Sequence, residues 1–134
     1  MSDPTDDSVV AFFTGYEAAW PLLRRALDLD PGYTQAHFNL GNSLTMQALM
    51  ISGRGGDPRE QIAQADATLA KAVALNSASA DFWDQRGVVR TLAAAYRYQG
   101  GEDPLPEVAE ALKHFDAALQ RNPSMPQAMV HKAE

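Results

Sequence analysis

The sequence has 134 residues, of which 46% are hydrophobic, and a formal net charge of −6 at pH 7. This is sufficient for one domain with a packed core. The absence of cysteine excludes disulfide bonds, thiolate zinc sites and cysteine nucleophiles, and the acidity disfavours nucleic-acid binding, which needs a basic surface. We expect a cytoplasmic protein that does not enter membranes, because a secretory signal and a long apolar run are both missing.

Apolar residues recur with a period close to 3.6, which predicts helices along the whole chain. In chain order, helices are expected at residues 8–29, 34–52, 58–75, 79–99 and 104–121, and another begins near residue 125. Pro21 lies inside the first helix and is expected to kink or split it. Sustained apolar–polar alternation is missing, so strands are not expected.

Two similar glycine-rich segments are expected to form the turns between paired helices. They run from Gly53 to Pro58 and from Gly100 to Pro104, and both end in Asp-Pro. Glycine can adopt positive φ, aspartate can cap the following helix, and proline fits the first helical position. Glu60 is placed to complete a capping box in the first of these turns. Such short turns predict antiparallel helix hairpins.

A repeat with a period of 46 residues runs through the sequence. It relates Gly41 to Gly87, Thr45 to Thr91, Asp57 to Asp103, Ala65 to Ala111, Ala72 to Ala118 and Asn76 to Asn122. A fixed period of this length is typical of solenoids, in which each unit buries its apolar face against its neighbours. Solenoids present extended surfaces that usually bind other proteins.

These residues resemble the tetratricopeptide repeat family. The segment from Asn39 to Asn42 is similar to the core of the family's first helix, and the second-helix signature matches Ala65, Leu69 and Ala72. In the next unit the matching residues are Trp83, Gly87, Ala111, Phe115, Ala118 and Pro123. The usual unit has about 34 residues, so this chain is similar to a long-helix variant with about 12 additional residues around each turn.

The resemblance implies an all-α, right-handed superhelical solenoid of antiparallel hairpins that forms a single domain. Residues 8–31 would be the second helix of a partial repeat, 32–77 the first repeat, 78–123 the second repeat, and 124–134 the start of a further repeat. Gly41 and Gly87 would allow close helix packing. Arg86 and Arg90 replace large apolar residues of the family, so we expect different packing there.

The resemblance also implies a non-catalytic interaction scaffold that binds a protein partner, as a peptide or helix, in a concave groove of first helices. The groove positions are Gln35, Phe38, Asn39, Asn42, Thr45, Met46, Asp81, Asp84, Gln85, Val88, Thr91 and Leu92. Asp81 and Asp84 would repel a carboxylate, which favours a basic or polar peptide. An ordinary solvated helix surface is the alternative interpretation of these positions.

Two other functions are left open by the sequence. The chain could be a structural module that self-assembles by stacking or exchanging helices at its ends, giving a homo-oligomer. It could also be a regulatory segment, since similar long units resemble those in large bacterial regulatory proteins such as serine/threonine kinases.

We expect no catalytic, cofactor or metal site. The glycine-rich turns lack the Lys-Ser/Thr ending of a phosphate-binding loop, and no serine lies in a nucleophile elbow. His37 occupies a packing position of the repeat and is expected to be packed or hydrogen bonded. Glu110 and His114 lie four residues apart on one helix face, where we expect an ion pair at the surface.

Overall fold

The computed structural model describes residues 21–124, and these residues form helices joined by short turns, without strands. Helix α1 occupies residues 21–29 of the described part, followed by α2 (Thr34–Gly53), α3 (Arg59–Leu75), α4 (Ala80–Gln99) and α5 (Leu105–Arg121). The all-α class is confirmed, and the predicted boundaries of α2 to α5 agree to within one residue. The first helix was predicted over residues 8–29, and its end at residue 29 agrees. Its residues 8–20, the effect of Pro21 on it and the helix predicted from residue 125 lie outside the described residues.

The structure reproduces the 46-residue repeat in its helices and in its hydrogen bonds. The bounds of α4 and α5 lie 46 residues after those of α2 and α3. Thr45 Oγ1 donates to the carbonyl oxygen of Gly41 at 2.8 Å, and Thr91 Oγ1 donates to that of Gly87 at 3.0 Å. The two units are therefore equivalent in backbone structure as well as in sequence.

The glycine-rich turns have the predicted positive-φ glycines and aspartate hydrogen bonds, but Pro58 and Pro104 lie one position earlier than expected, at the N-caps of α3 and α5. Gly55 and Gly101 have φ of 82° and 78°, values that side-chain-bearing residues rarely adopt. The Asp57 carboxylate accepts a hydrogen bond from the backbone N–H of Arg59 at 3.0 Å. The corresponding Asp103 carboxylate accepts from Leu105 N–H, also at 3.0 Å. These bonds satisfy N–H groups that have no partner within the new helix, and so fix where it begins.

Glu60, which was expected to complete a capping box with Asp57, is engaged along its own helix. Its carboxylate accepts a hydrogen bond from Gln64 Nε2 at 3.3 Å, one turn further on. Among the interactions that the described residues show, only the aspartate therefore caps this turn. The same holds in the second unit, where Pro106 occupies the position of Glu60.

Two glycines bring the helices of each hairpin close together. A Cβ atom built on Gly41 would lie 2.6 Å from Leu69 Cγ, and one built on Gly87 would overlap the Phe115 ring. Leu69 and Phe115 are 0% and 2% exposed. Each large side chain on the second helix therefore packs directly over the glycine of the first, which confirms the close packing expected at these positions.

The helices pack in sequence, α2 on α3, α3 on α4 and α4 on α5, with a smaller contact between α2 and α4. Leu40, Leu44, Ala65, Leu69 and Val89 form one buried cluster that joins the two units, and Leu23 and Leu27 of α1 pack against it. The described part of the chain thus has a core that continues from one hairpin to the next.

Candidate functional site

The predicted groove residues belong to α2 and α4, and the surface of these two helices is where a partner was expected to bind. The two helices are held side by side by Phe38 and Phe82, whose ring centroids are 4.7 Å apart. Phe82 is buried, whereas Phe38 is only partly buried and keeps one side toward solvent. We call this surface the first-helix face.

The predicted groove residues differ in exposure. Gln35, Asn39, Asp81 and Thr91 are exposed; Phe38, Asn42, Met46, Gln85, Val88 and Leu92 are half-buried; Thr45 and Asp84 are buried. The two buried side chains are a correction to the predicted contact set, because they are not accessible to a partner. Thr45 donates its hydroxyl to the preceding helical turn, as threonine often does inside helices, and Asp84 is only 7% exposed.

A row of carboxamide side chains follows α2 along this face. Gln35, Asn39 and Asn42 are spaced at one-turn intervals, so they share one side of the helix. Gln35 Nε2 donates to Asn39 Oδ1 at 3.1 Å. Asn42 Oδ1 is buried and has no hydrogen-bond partner. A buried acceptor without a partner costs about 1–3 kcal/mol, so a donor arriving at this position would be stabilised.

A cleft of about 460 Å³ lies between α3, α4 and the start of α5. The cleft is lined by arginine and carboxylate side chains and by apolar residues that include Ile62 and Val89. The remaining lining residues are Arg59, Ala63, Asp66, Ala67, Arg90, Ala93, Tyr96, Arg97, Glu102 and Glu107. This cleft was not predicted from the sequence, because its lining residues come from three helices.

The charges in the cleft are paired with one another across three helices. Arg90 of α4 donates to Asp66 of α3 and to Glu107 of α5, each at 2.9 Å. Arg86 lies 3.7 Å from Asp66, and Arg97 lies 3.8 Å from Glu107. Arg86 and Arg90 therefore tie adjacent units together electrostatically, which confirms that packing differs where they replace apolar residues.

The surroundings of Arg90 favour its charged form. Burial opposes the charge of Arg90, but the hydrogen bond to Glu107 and the charge of Asp66 outweigh it and raise the pKa of Arg90. At the solvent-exposed rim, the hydrogen bonds from Arg59 lower the pKa of Asp57 to about 2. The hydrogen bonds of Arg90 to Asp66 and Glu107 join α3, α4 and α5.

The two histidines among the described residues, His37 and His114, have different surroundings. His37 is buried, and its Nε2–H donates to the carbonyl oxygen of Pro31 at 2.8 Å, which confirms a packed, hydrogen-bonded role. Trp83, its equivalent in the next unit, donates to Ser77 O at 2.9 Å. Both side chains thereby fasten the turn that precedes their helix.

The expected surface ion pair between Glu110 and His114 is wrong. His114 is only 6% exposed and lies beside Trp83, with ring centroids 5.9 Å apart. Burial, and then the charge of Arg86, lower the pKa of His114, so its neutral form is favoured. Glu110 instead pairs with Lys113 at 3.2 Å. The signal was present in the sequence, because position 114 falls within the apolar stripe of α5.

Within residues 21–124, no helix is long and apolar enough to cross a bilayer. In the same part of the chain, histidine and carboxylate side chains nowhere gather in a group of three that could hold a metal ion. No protein-family model matches the sequence, and a comparison with curated proteins gives no match.

Proposed function

We propose that this protein is a tetratricopeptide-like solenoid that acts as a non-catalytic interaction scaffold. Its ligand would be a peptide or helix bound along the first-helix face. The proposal is supported by the stepwise packing of α2 to α5, by the repeated hydrogen bonds and by the paired contacts of Gly41 with Leu69 and Gly87 with Phe115. In such an arrangement successive first helices line one continuous surface.

The unpartnered oxygen of Asn42 is the observation that carries the proposal. It is a buried acceptor on the first-helix face, and Asn42 lies one helical turn after the partly buried Phe38. Rotation of the half-buried Asn42 amide would bring this oxygen to a peptide backbone N–H, while apolar side chains would pack on Phe38 and Val88. This combination of one oriented polar group with apolar contacts is the usual composition of a specific binding site.

The charge on this face favours a basic or polar partner. Asp81 is exposed in the first turn of α4, at one end of the face. The whole chain carries a net charge of −6, which adds a long-range attraction for cationic ligands. Arginine or lysine at the matching end of a peptide would be favoured there, and a terminal carboxylate would be repelled.

Peptides selected from a displayed random library against the whole chain would test this function. For the best binder, Asn42→Ala should weaken affinity about tenfold, because a buried hydrogen bond to the ligand is lost. Asp81→Asn should weaken binding of basic peptides and reduce its salt dependence. Gln64→Ala, on the exposed side of α3, is the matched control and should bind as the parent does. Equal affinity of all four proteins would contradict the assignment of the first-helix face.

A further inference from the structure

The cleft between α3, α4 and the start of α5 has no role in the proposed function, yet it has the dimensions of a ligand site. Its volume of about 460 Å³ lies within the range of about 300–1,000 Å³ that is usual for small-molecule sites. Its apolar lining comes from Ile62, Ala63, Ala67, Val89 and Ala93. Because most of these side chains are alanines, the helices leave space between them that a ligand could fill.

The charges of the cleft are not needed to form the hairpin. Four charged lining residues have uncharged counterparts 46 residues earlier. They are Arg90, Arg97, Glu102 and Glu107, which correspond to Leu44, Ile51, Gly56 and Gln61. The helix bounds of the two hairpins are nevertheless equivalent. The same backbone therefore forms with and without these charges.

The first unit closes the position that the second unit leaves open. A Cβ built on Gly56 would lie 2.8 Å from Ile51 Cγ2, so Ile51 packs directly on this glycine. Their counterparts are Arg97 and Glu102, whose nearest atoms, Nε and Oε2, lie 4.0 Å apart. The side chains of this second pair are 39% and 59% exposed. The cleft thus has a charged edge that solvent can reach, where the first unit has an apolar contact.

Arg97 offers hydrogen-bond donors that no described residue accepts. The nearest carboxylate oxygens are those of Glu107 at 3.8 Å and Glu102 at 4.0 Å, both beyond hydrogen-bond distance. The Nε of Arg97 is buried without a partner. A guanidinium carries five N–H donors in one plane, and two of them together match the two oxygens of a carboxylate. Arg97 is therefore placed to receive an anionic group.

The acidic groups of the cleft are already engaged, which disfavours a cationic ligand. Arg90 donates to Asp66 and to Glu107, each at 2.9 Å, so a cation would have to displace it. A phosphate monoester carries about −1.5 to −2 charge and would be repelled by Glu102 and Glu107 beside Arg97. A single carboxylate matches the single guanidinium without this excess charge.

The cleft is distinct from the surface on which a further repeat would pack. Ile62 and Asp66 of α3 contact α4, the first helix of the following unit. Their counterparts on α5 are Val108 and Leu112, and neither lines the cleft. By the same register, a first helix following α5 would meet those two residues and leave the cleft open.

We infer that the cleft binds a small amphipathic carboxylate, whose anionic group pairs with Arg97 and whose apolar body lies on Ile62, Val89 and Ala93. Glu102 is exposed enough to turn away from Arg97 when the ligand enters, and an exposed ion pair of this length contributes little that would be lost. The inference rests on residues outside the first-helix face, so either site could fail its test while the other passes.

Three probes that share one apolar body separate charge from hydrophobicity: naphthoate, naphthamide and naphthylmethylammonium, substituted at the same ring position. Isothermal titration calorimetry with the whole chain would give the affinity of each. We expect saturable binding of naphthoate, and binding of the other two that is weaker by at least about tenfold. In heteronuclear NMR, the Nε–H resonance of Arg97 should move on addition of naphthoate and not on addition of naphthamide.

Four variants test the assigned contacts. Arg97→Gln should weaken naphthoate binding at least about tenfold, whereas Glu102→Gln should strengthen it about twofold by removing a nearby like charge. Ala93→Leu keeps every charge but fills the apolar lining, and should weaken naphthoate at least about tenfold. Arg54→Gln is the matched control, because Arg54 is an exposed arginine outside the cleft; it should bind as the parent does.

Three outcomes would overturn the inference. The first is no binding of naphthoate at about 10 mM. The second is equal or tighter binding of naphthamide or of naphthylmethylammonium. The third is parent-like affinity in both Arg97→Gln and Ala93→Leu.

Discussion

The two repeat units share one backbone but differ in what joins each of them to the preceding helix. In the first unit, Leu40 and Leu44 lie in an apolar cluster with side chains of α1. In the second, Arg86 and Arg90 occupy the same positions and bind Asp66 by ion pairs. The helix bounds, the turn φ angles and the aspartate caps are nonetheless the same in both units.

This comparison separates what specifies the hairpin from what specifies the order of hairpins. Glycine at the helix contact and Asp-Pro at the turn are common to both units, so they determine the hairpin itself. The inter-unit residues vary between apolar and charged, so they determine which neighbour each hairpin accepts. Paired charges are well suited to that role, because removing either partner is far more costly than replacing both.

The largest expected effect comes from closing the space over the hairpin glycines. Gly87→Ala would force a Cβ into the rigid Phe115 ring, whereas Gly41→Ala would meet the more adaptable Leu69. We expect losses of about 2–3 and about 1–2 kcal/mol in unfolding free energy, net of the helix propensity gained from removing glycine. Urea denaturation followed by circular dichroism would measure both.

Gly53→Ala provides the control for this pair, because a Cβ there meets nothing within 4 Å. It should be neutral or slightly stabilising. Combining Gly87→Ala with Phe115→Leu should recover part of the loss, because leucine is smaller than the phenylalanine ring and can move away from the added Cβ. If the two glycine variants and the control are equally stable, close packing at these positions is not a determinant of the hairpin.

An intermediate effect is expected from converting the second junction to the chemistry of the first. Arg90→Leu leaves the carboxylates of Asp66 and Glu107 without their nearest partner, and should lower the unfolding free energy by about 1–2 kcal/mol. Adding Asp66→Leu should restore only part of this, because the contact is then apolar on both sides but Arg86 has lost the carboxylate of Asp66 and Glu107 still lacks Arg90. A double-mutant cycle in urea would give the coupling. Additive losses would indicate that the two residues act independently.

The smallest effect concerns His114, a buried histidine of the second unit whose counterpart in the first unit is Thr68. Its folded-state pKa is lowered by burial, while the unfolded chain titrates near the ordinary value of about 6.5. The unfolded state therefore binds the proton more readily, and stability should be complete above that pH and decrease as the pH falls toward the folded-state pKa.

Unfolding midpoints in urea at a series of pH values from about 7.5 to about 5 would test this. His114→Gln should flatten the dependence by removing the titrating group. Asp57 and Glu110, whose pKa values are lowered below the ordinary carboxylate range, titrate at lower pH and do not interfere. An unchanged pH dependence in His114→Gln would show that another group is responsible.

The helices and the repeat were predictable because their signals are local. The 3.6-residue period and the Asp-Pro turns determine each boundary from a few neighbouring residues, and the glycine contacts follow from the 46-residue register. The identity of the partner of Arg90 was not predictable, because Asp66 is 24 residues away on another helix. The cleft likewise depends on how three helices diverge, which no single segment encodes.

The arrangement of side chains on the first-helix face could be predicted from the sequence only in part. Helical spacing placed Gln35, Asn39 and Asn42 together correctly. Burial of Thr45 and Asp84 was not predicted, because polar side chains suggest exposure. Thr45 donates its hydroxyl to its own helix, and Asp84 is only 7% exposed. Polar identity alone does not distinguish a solvated side chain from a satisfied one.

The equivalence of backbone positions 46 residues apart has a consequence for how genes of this kind can change length. Unequal recombination between two matching codons, such as those of Gly41 and Gly87, would delete or duplicate one whole unit without disturbing any turn or helix boundary. The site of exchange would still matter. A crossover that places an arginine-bearing first helix after the α5 sequence would leave Arg86 and Arg90 without the carboxylate of Asp66, since Leu112 holds that position in α5.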